Sequence, residues 1–168
     1  MALIKNGELV DDIWVTIASA SELAEASRPI VSLELWRAER GRLRSTNALL
    51  GIRLASDQSP ALIVNDLDRF EVVALEFPKF TDGRAYSHAR QLRERHGFRG
   101  EIRAVGNVLR DQLPFMARCG FDAFEIAGER PLEAWRDALG EIGVWYQPGS
   151  DGQTPAMVSR RTARGQPC

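Results

Sequence analysis

The stretch that decides the fold reads Val72-Val73-Ala74-Leu75-Glu76-Phe77-Pro78-Lys79-Phe80-Thr81-Asp82-Gly83-Arg84. Its first four residues form a short apolar run with β-branched members, which indicates a buried strand. Pro78 favours extended backbone at the residue before it, and Thr81 and Asp82 are good helix N-caps. The stretch is therefore predicted to be a strand, a loop and the start of a helix. In an open α/β sheet such loops lie at the carboxyl ends of the strands, where ligands bind.

Three residues of this loop are candidates for binding an anion or a partner protein. Asp82 supplies a carboxylate, Gly83 a flexible backbone and Arg84 a fixed cation at the predicted start of a helix. Free N–H groups at a helix N-terminus favour negative charge, so an anionic ligand fits this position. The alternative interpretation of Asp82 is a simple N-cap.

A second loop of the same kind follows the apolar run Ile102-Arg103-Ala104-Val105 and contains Gly106, Asn107 and Arg110. Because parallel strands end at one edge, this loop is predicted to line one pocket together with the first loop. Parallel strands are usually covered on both faces, so Arg103 is expected to pair with a buried carboxylate such as Asp111 or to face that pocket. No residue is identified as catalytic.

Outward from these loops, strand-like and helix-like runs alternate. Strands are predicted near 51–55, 71–77, 102–106 and 123–127, with helices over 59–70, 84–96, 108–118 and 131–139 and a further strand over 142–146. This order is typical of a parallel sheet of four or five strands with right-handed crossovers. The pattern leaves a flavodoxin-like layer and a half-barrel open as alternatives.

The two ends of the chain differ from this core. Asn6-Gly7 between apolar pairs predicts a β-hairpin, residues 13–17 a further strand, and Ser32 the cap of a helix to about Leu43. We therefore expect one α/β domain over 1–147, in which 1–49 is a small antiparallel attachment with one helix and 50–147 is the βα core. Residues 148–168 are rich in Pro, Gly, Ser and Arg and are predicted to be a flexible tail.

Composition excludes several classes of protein. A net charge of −1 gives no general attraction to nucleic acid or to anionic membranes, and no apolar run is long enough to span a bilayer. The N-terminus does not read as a signal peptide, so a cytoplasmic protein is predicted. Two cysteines, Cys119 and Cys168, are too few for a disulfide framework or an iron–sulfur cluster. Neither a metal site nor a cofactor motif is predicted, because the chain has no dinucleotide or P-loop glycine pattern.

The segment 79–103 is locally basic, with seven Lys and Arg residues against three carboxylates. Such an asymmetry suits an anionic ligand or an acidic partner. Arg90, Arg93 and Arg95 have the simpler interpretation of a solvated helix face. Reversing these three charges is accordingly expected to leave the fold intact.

Three runs carry a family resemblance: F-P-K-F-T-D-G-R-A-Y-S-H-A-R-Q-L-R from Phe77, G-F-R-G-E-I-R-A-V-G-N-V-L-R-D-Q-L from Gly97, and R-C-G-F-D-A-F from Arg118. The chain resembles the bacterial family known as domain of unknown function 934, most densely over about 50–127. In that family an acid often stands where this chain has Asn107. The resemblance implies a short cytoplasmic protein, typically encoded beside assimilatory sulfite reductase and often labelled an oxidoreductase. It supplies no catalytic residues.

Two functions are therefore expected as alternatives. The first is an accessory protein of assimilatory sulfite reduction, a non-catalytic partner of sulfite reductase that makes contact through the basic segment and the tail. The second is an oxidoreductase or sensor that binds a small oxyanion at the carboxyl edge of the sheet. The residues favour the first, because redox chemistry needs a cofactor or a dithiol and the sequence indicates neither.

Overall fold

The computed structural model describes residues 1–141 and 145–163, and its centre is one eight-stranded sheet. The strands are β1 (Ala2–Lys5), β2 (Glu8–Val10), β3 (Val15–Thr16), β4 (Pro29–Ser32), β5 (Leu50–Leu54), β6 (Phe70–Phe77), β7 (Glu101–Gly106) and β8 (Ala123–Ile126). Their order in the sheet is β2-β1-β8-β7-β6-β5-β4-β3. From β3 to β8 all neighbours are parallel, whereas β1 is antiparallel to β2 and to β8. The parallel arrangement predicted for the four core strands is confirmed, and the sheet has more strands than predicted.

Helices follow most of the parallel strands. The α-helices are α1 (Leu33–Ser45), α2 (Arg84–Arg90), α3 (Leu113–Arg118), α4 (Pro131–Gly140) and α5 (Ala156–Ala163). Shorter 3₁₀ turns cover Glu22–Ala24, Pro60–Leu62, Val64–Arg69 and Arg110–Gln112, and a π-helical turn, Gln91–Arg95, extends α2. In the part of the chain that the structure describes, no helix has the length and apolar character needed to cross a bilayer.

The local signals explain these elements, with one exception. The Ser32 hydroxyl accepts the Leu35 N–H at 3.1 Å and caps α1, as predicted. The helix predicted over 59–70 is instead two 3₁₀ segments, interrupted at Ile63. The residues after the break explain this, since Val, Asn and Asp are poor helix formers and the last two compete for backbone hydrogen bonds.

The sheet curls into a half-barrel, and its topology shows why. Strands β2 and β3 lie at opposite ends of the sheet order, yet Val10 and Val15 are five residues apart in the chain. Five extended residues reach at most about 18 Å. A flat sheet would hold its outer strands roughly 34 Å apart across seven spacings. The two edges must therefore bend towards each other.

The four residues that join these edges, 11–14, form a strap across the concave face. Trp14 on the strap packs against Ile30, Val72, Ala74 and Val105, which are the apolar residues of that face. The larger core lies on the opposite, convex face, where the sheet packs against the helices. The half-barrel is thus covered by helices outside and partly by the strap inside.

Two of the sequence predictions for the chain ends need correction. The N-terminal part is not only an antiparallel attachment, because β3 and β4 extend the parallel sheet. The strand β4 escaped prediction since its four residues come directly before α1. Within the predicted tail the structure has helix α5, and Asp151 binds Arg118 at 3.0 Å. Of the strand predicted over 142–146, residues 142–144 lie outside the described part, and Trp145 and Tyr146 are not in a strand.

Candidate functional site at the carboxyl edge

The loop after β6 holds a compact polar cluster together with the loop after β5. Arg84 and Asp82 form a two-point ion pair, with Nη2 to Oδ2 at 2.7 Å and Nε to Oδ1 at 3.0 Å. The buried Ser56 hydroxyl donates to Asp82 Oδ2 at 2.8 Å and accepts from Arg84 Nη2 at 2.9 Å. The sequence analysis missed Ser56, because nothing in its own surroundings marks it and it lies 28 residues from Arg84.

The charges of this cluster largely cancel. The Arg84 guanidinium, followed by the Ser56 hydroxyl, holds the pKa of Asp82 well below its usual value, so this carboxylate is ionised at any working pH. His88 lies half-buried nearby, and its Nδ1 has no hydrogen-bond partner among the described residues. Burial lowers the pKa of His88, and the Arg84 cation lowers it further. The cluster is therefore a neutral imidazole beside a balanced ion pair.

Arg84 is paired but not shielded, since 55% of its side chain is exposed. The Asp82 side chain is only 9% exposed, but it keeps the Ser56 hydroxyl as a donor, and a pair with one solvated partner contributes little to stability. We expect Arg84→Ala to leave the midpoint of urea unfolding nearly unchanged. A large loss of stability in that measurement would show that the pair is a structural support.

The second predicted loop lies beside the first. The Asn107 N–H donates to the Phe77 carbonyl at 2.7 Å, and a Cβ at Gly106 (φ +90°) would lie 2.6 Å from that same oxygen. Gly106 is therefore needed for close contact between the ends of β6 and β7. Gln112 joins the loops, since its Nε2 donates to the Phe80 carbonyl at 3.2 Å and its Oε1 accepts the Leu109 N–H at 3.3 Å.

The two remaining arginines of the predicted site have other partners, and only Arg103 lies away from the carboxyl edge. Arg103 is 1% exposed and projects from β7 onto the concave face. Its partners are Glu101 at 2.7 Å, Asp12 at 2.8 Å and Glu125 at 3.5 Å, not Asp111. Arg110 forms an exposed ion pair with Glu141 at 2.6 Å. The structure therefore brings together Asp82 with Arg84, and Gly106 with Asn107, but not Arg103.

An exposed apolar surface completes the edge. Phe80 and Phe115 are 61% and 53% exposed, and Leu109 is also exposed. We call these three residues the edge patch. Tyr86 supports it from below, with its ring 4.9 Å from Phe115 and 5.1 Å from the buried Phe77. The loops of this edge also carry three cations, namely Lys79, Arg84 and Arg110, of which the last two are ion-paired.

The basic segment is only partly a solvated face. Arg90 pairs with Glu94 on the surface at 3.0 Å. Arg93 is different, since it donates to the carbonyls of Phe98, Gly100 and Gly120 and pairs with Asp122 at 2.9 Å. Interpreting Arg93 as a solvated residue was wrong, and its reversal would disrupt these contacts. An i, i+3 or i+4 pattern cannot reveal partners that lie 27 and 29 residues away.

The two cysteines and the possible metal ligands are the remaining candidate groups. Cys119 is a free, buried cysteine, and burial raises the pKa of its thiol to about 11, so the reactive thiolate is scarce near neutral pH. Cys168 lies outside the described residues. Within 1–141 and 145–163, no group of three or more His, Cys, Asp or Glu side chains is arranged to hold a metal ion.

The sequence matches a known protein family. A family model described as "Bacterial protein of unknown function (DUF934)" matches residues 51–157, which is more than half of the chain. No curated protein matches the sequence. The matched region begins in β5 and includes both loops of the carboxyl edge and the edge patch. The chain therefore belongs to the bacterial DUF934 family.

Proposed function

We propose that this protein is a non-catalytic accessory protein of assimilatory sulfite reduction, and that it docks on sulfite reductase through the edge patch. The observation that carries the proposal is the exposure of Phe80, Leu109 and Phe115 at the edge where α/β proteins bind their ligands. Gln112 joins the loops that carry Phe80 and Leu109, and exposed apolar residues gathered at one edge are typical of an interaction surface.

The composition of this surface fits a protein partner. Aromatic residues and arginine are enriched in the centres of protein interfaces, where they supply most of the binding energy. Here two exposed aromatic rings share the carboxyl edge with Lys79, Arg84 and Arg110, of which Arg84 is paired with Asp82 and Arg110 with Glu141. The loops that carry the rings are fixed by the Gln112 hydrogen bonds, so little ordering entropy is lost on docking.

The choice of sulfite reductase as the partner rests on the family resemblance described from the sequence. Members of that family are typically encoded beside assimilatory sulfite reductase. An apolar depression on that enzyme would complement the rings, and an acidic group beside it would complement Lys79. The contribution expected from Arg93 is withdrawn, because its side chain is occupied by four contacts within the fold.

The experiment is affinity capture from cells that grow with sulfate as their only sulfur source. We expect sulfite reductase to co-purify with the wild-type protein and to be lost with the double variant Phe80→Ala/Phe115→Ala. Leu9→Ala, which removes an equally exposed side chain from β2, is the control and should retain the enzyme. Equal capture by the double variant would contradict docking through the edge patch.

The alternative is that the carboxyl edge binds a small oxyanion, as in an oxidoreductase or a sensor. One observation favours it: Arg84 keeps 55% of its side chain in solvent near His88, whose Nδ1 has no partner among the residues that the structure describes. The balanced charge of the Asp82–Arg84 pair opposes it. If sulfate raises the melting temperature of the wild-type protein but not that of Arg84→Ala, the oxyanion site is the better account.

A further inference from the structure

A cleft of about 420 Å³ opens at the end of the half-barrel opposite the edge patch. It lies between the strap and the amino ends of β5, β6 and β7, where Leu49, Glu71 and Gly100 begin or precede those strands. Its volume is within the range of small-molecule sites, about 300–1,000 Å³. Nothing in the docking function requires this cleft.

The floor of the cleft carries charges that are already balanced. Lys5 pairs with the buried Glu101 at 2.8 Å, and Asp122 pairs with Arg93 at 2.9 Å. These ion pairs hold β1, β7 and the turn before β8 in fixed positions. They leave no spare charge for a ligand.

Two arginines of the cleft have no such partner. Arg28, just before β4, and Arg99, just before β7, both line it. Neither guanidinium has an ion pair or a side-chain hydrogen bond within the described part of the chain. The two arginines precede different strands, β4 and β7. A helical or strand repeat in the sequence therefore does not explain why both line one cleft. Two free guanidinium groups favour a carboxylate or a phosphate, which they bind through paired N–H donors.

Glu71 adds to the wall a carboxylate that has no ion pair or side-chain hydrogen bond within the described part of the chain. The pairing of β5 with β6 jumps from Leu50↔Phe70 to Gly51↔Val72, so Glu71 is the extra residue of a bulge. A bulge redirects a side chain and is common beside binding sites. Arg28, Arg99 and Glu71 together carry two positive charges and one negative charge, so the cleft attracts an anion. The Glu71 carboxylate can also accept a hydrogen bond from a hydroxyl or amino group of the ligand.

The third wall is apolar. Trp14 lies on the strap, and the exposed Ile13 and Leu49 stand beside it. An indole face next to arginines accommodates a flat apolar group attached to an anion.

We propose that this cleft binds an organic oxyanion, a carboxylate or a phosphate on a flat apolar body. Arg28 and Arg99 hold the anionic group, and Trp14 contacts the body. This inference is independent of the docking function, since it concerns the opposite end of the half-barrel and a different class of ligand.

The test is isothermal titration calorimetry of the full chain in low salt with four probes. Benzoate and phenyl phosphate carry a ring and an anion, inorganic phosphate lacks the ring, and phenol lacks the charge. We expect saturable binding of benzoate or phenyl phosphate, tighter than that of inorganic phosphate or phenol. The tighter of the first two identifies the anionic group as a carboxylate or a phosphate.

Variants assign the binding to the cleft. Arg28→Ala and Arg99→Ala should each weaken the tighter probe about tenfold, the loss of a charge-assisted hydrogen bond. Arg95→Ala removes an exposed arginine from the same basic segment and should change nothing. Arg99 is exposed, so its variant is expected to fold even if Arg28→Ala does not. Failure of all probes at about 10 mM, or equal weakening by Arg95→Ala, would overturn the proposal.

Discussion

Replacing Arg103 with Met is expected to destabilise the protein by about 3–5 kcal/mol, the usual cost of removing one partner from a buried ion network. Three carboxylates, those of Asp12, Glu101 and Glu125, face this guanidinium on the concave side. Without it, Glu101 keeps only Lys5 as a cationic partner, and the strap loses the contact of Asp12 with β7. Urea unfolding followed by far-ultraviolet circular dichroism measures the loss.

The chain offers a matched control on the same face of the sheet. Arg53 and Arg103 lie in one row, since each is paired in register with Ala74. Arg53 binds Glu76 at 2.9 Å, but both side chains are about one-third exposed. Arg53→Met should therefore cost only about 0–1 kcal/mol. Similar losses for the two variants would contradict the view that burial gives the Arg103 network its large contribution to stability.

The second large effect is expected at Asp66, which is 5% exposed and joins α1 to the segment Val64–Arg69. Arg40 binds both of its oxygens at 2.8 and 2.9 Å, Arg44 binds Oδ1, and the Trp36 indole donates to Oδ2 at 3.2 Å. Asp66→Ala leaves the buried indole N–H and two guanidinium groups without this acceptor. We expect a loss of about 2–3 kcal/mol, the range for hydrogen bonds that involve charged groups.

The pH dependence gives an independent check on Asp66. Its pKa in the folded protein is lowered, chiefly by hydrogen bonding to Arg40. Because the pKa of Asp66 is lower in the folded protein than in the unfolded chain, its ionised form stabilises the fold. This stabilisation is complete above the pKa of the unfolded chain, about 3.9, and is lost as the pH falls through the pKa of the folded protein. The difference in unfolding free energy between wild type and Asp66→Ala should be constant above about pH 5 and should shrink below about pH 4. Asp68→Ala, at an exposed site two residues away, should show almost no difference at any pH.

Local signals in the sequence were sufficient for the parallel core. The apolar run 72–75 and the alternation of strands and helices predicted β5 to β8, and Ser32 predicted the start of α1. The helix predicted over 108–118 is a 3₁₀ turn followed by α3, with Pro114 in the first turn of α3, where proline is tolerated. Each of these features depends on residues close together in the chain.

The curl of the sheet and the concave network could not be predicted in this way. Arg103 contacts Asp12 across 91 residues, and no local pattern reveals such a partner. The same applies to the candidate sites. Exposure of Phe80 and Phe115 depends on which elements cover the carboxyl edge, and the meeting of Arg28 with Arg99 depends on the half-barrel itself. The sequence predicted the position of the carboxyl edge of the sheet but not which side chains stay exposed there.

The central claim is that the edge patch binds sulfite reductase, and titration of the two purified proteins tests it most directly. Calorimetry should show saturable binding for the wild-type protein and an affinity at least about 30-fold weaker for Phe80→Ala/Phe115→Ala, as expected for two interface hot spots. Leu9→Ala should bind like the wild type. If the wild-type protein does not bind, or if the double variant binds with unchanged affinity, the account is contradicted.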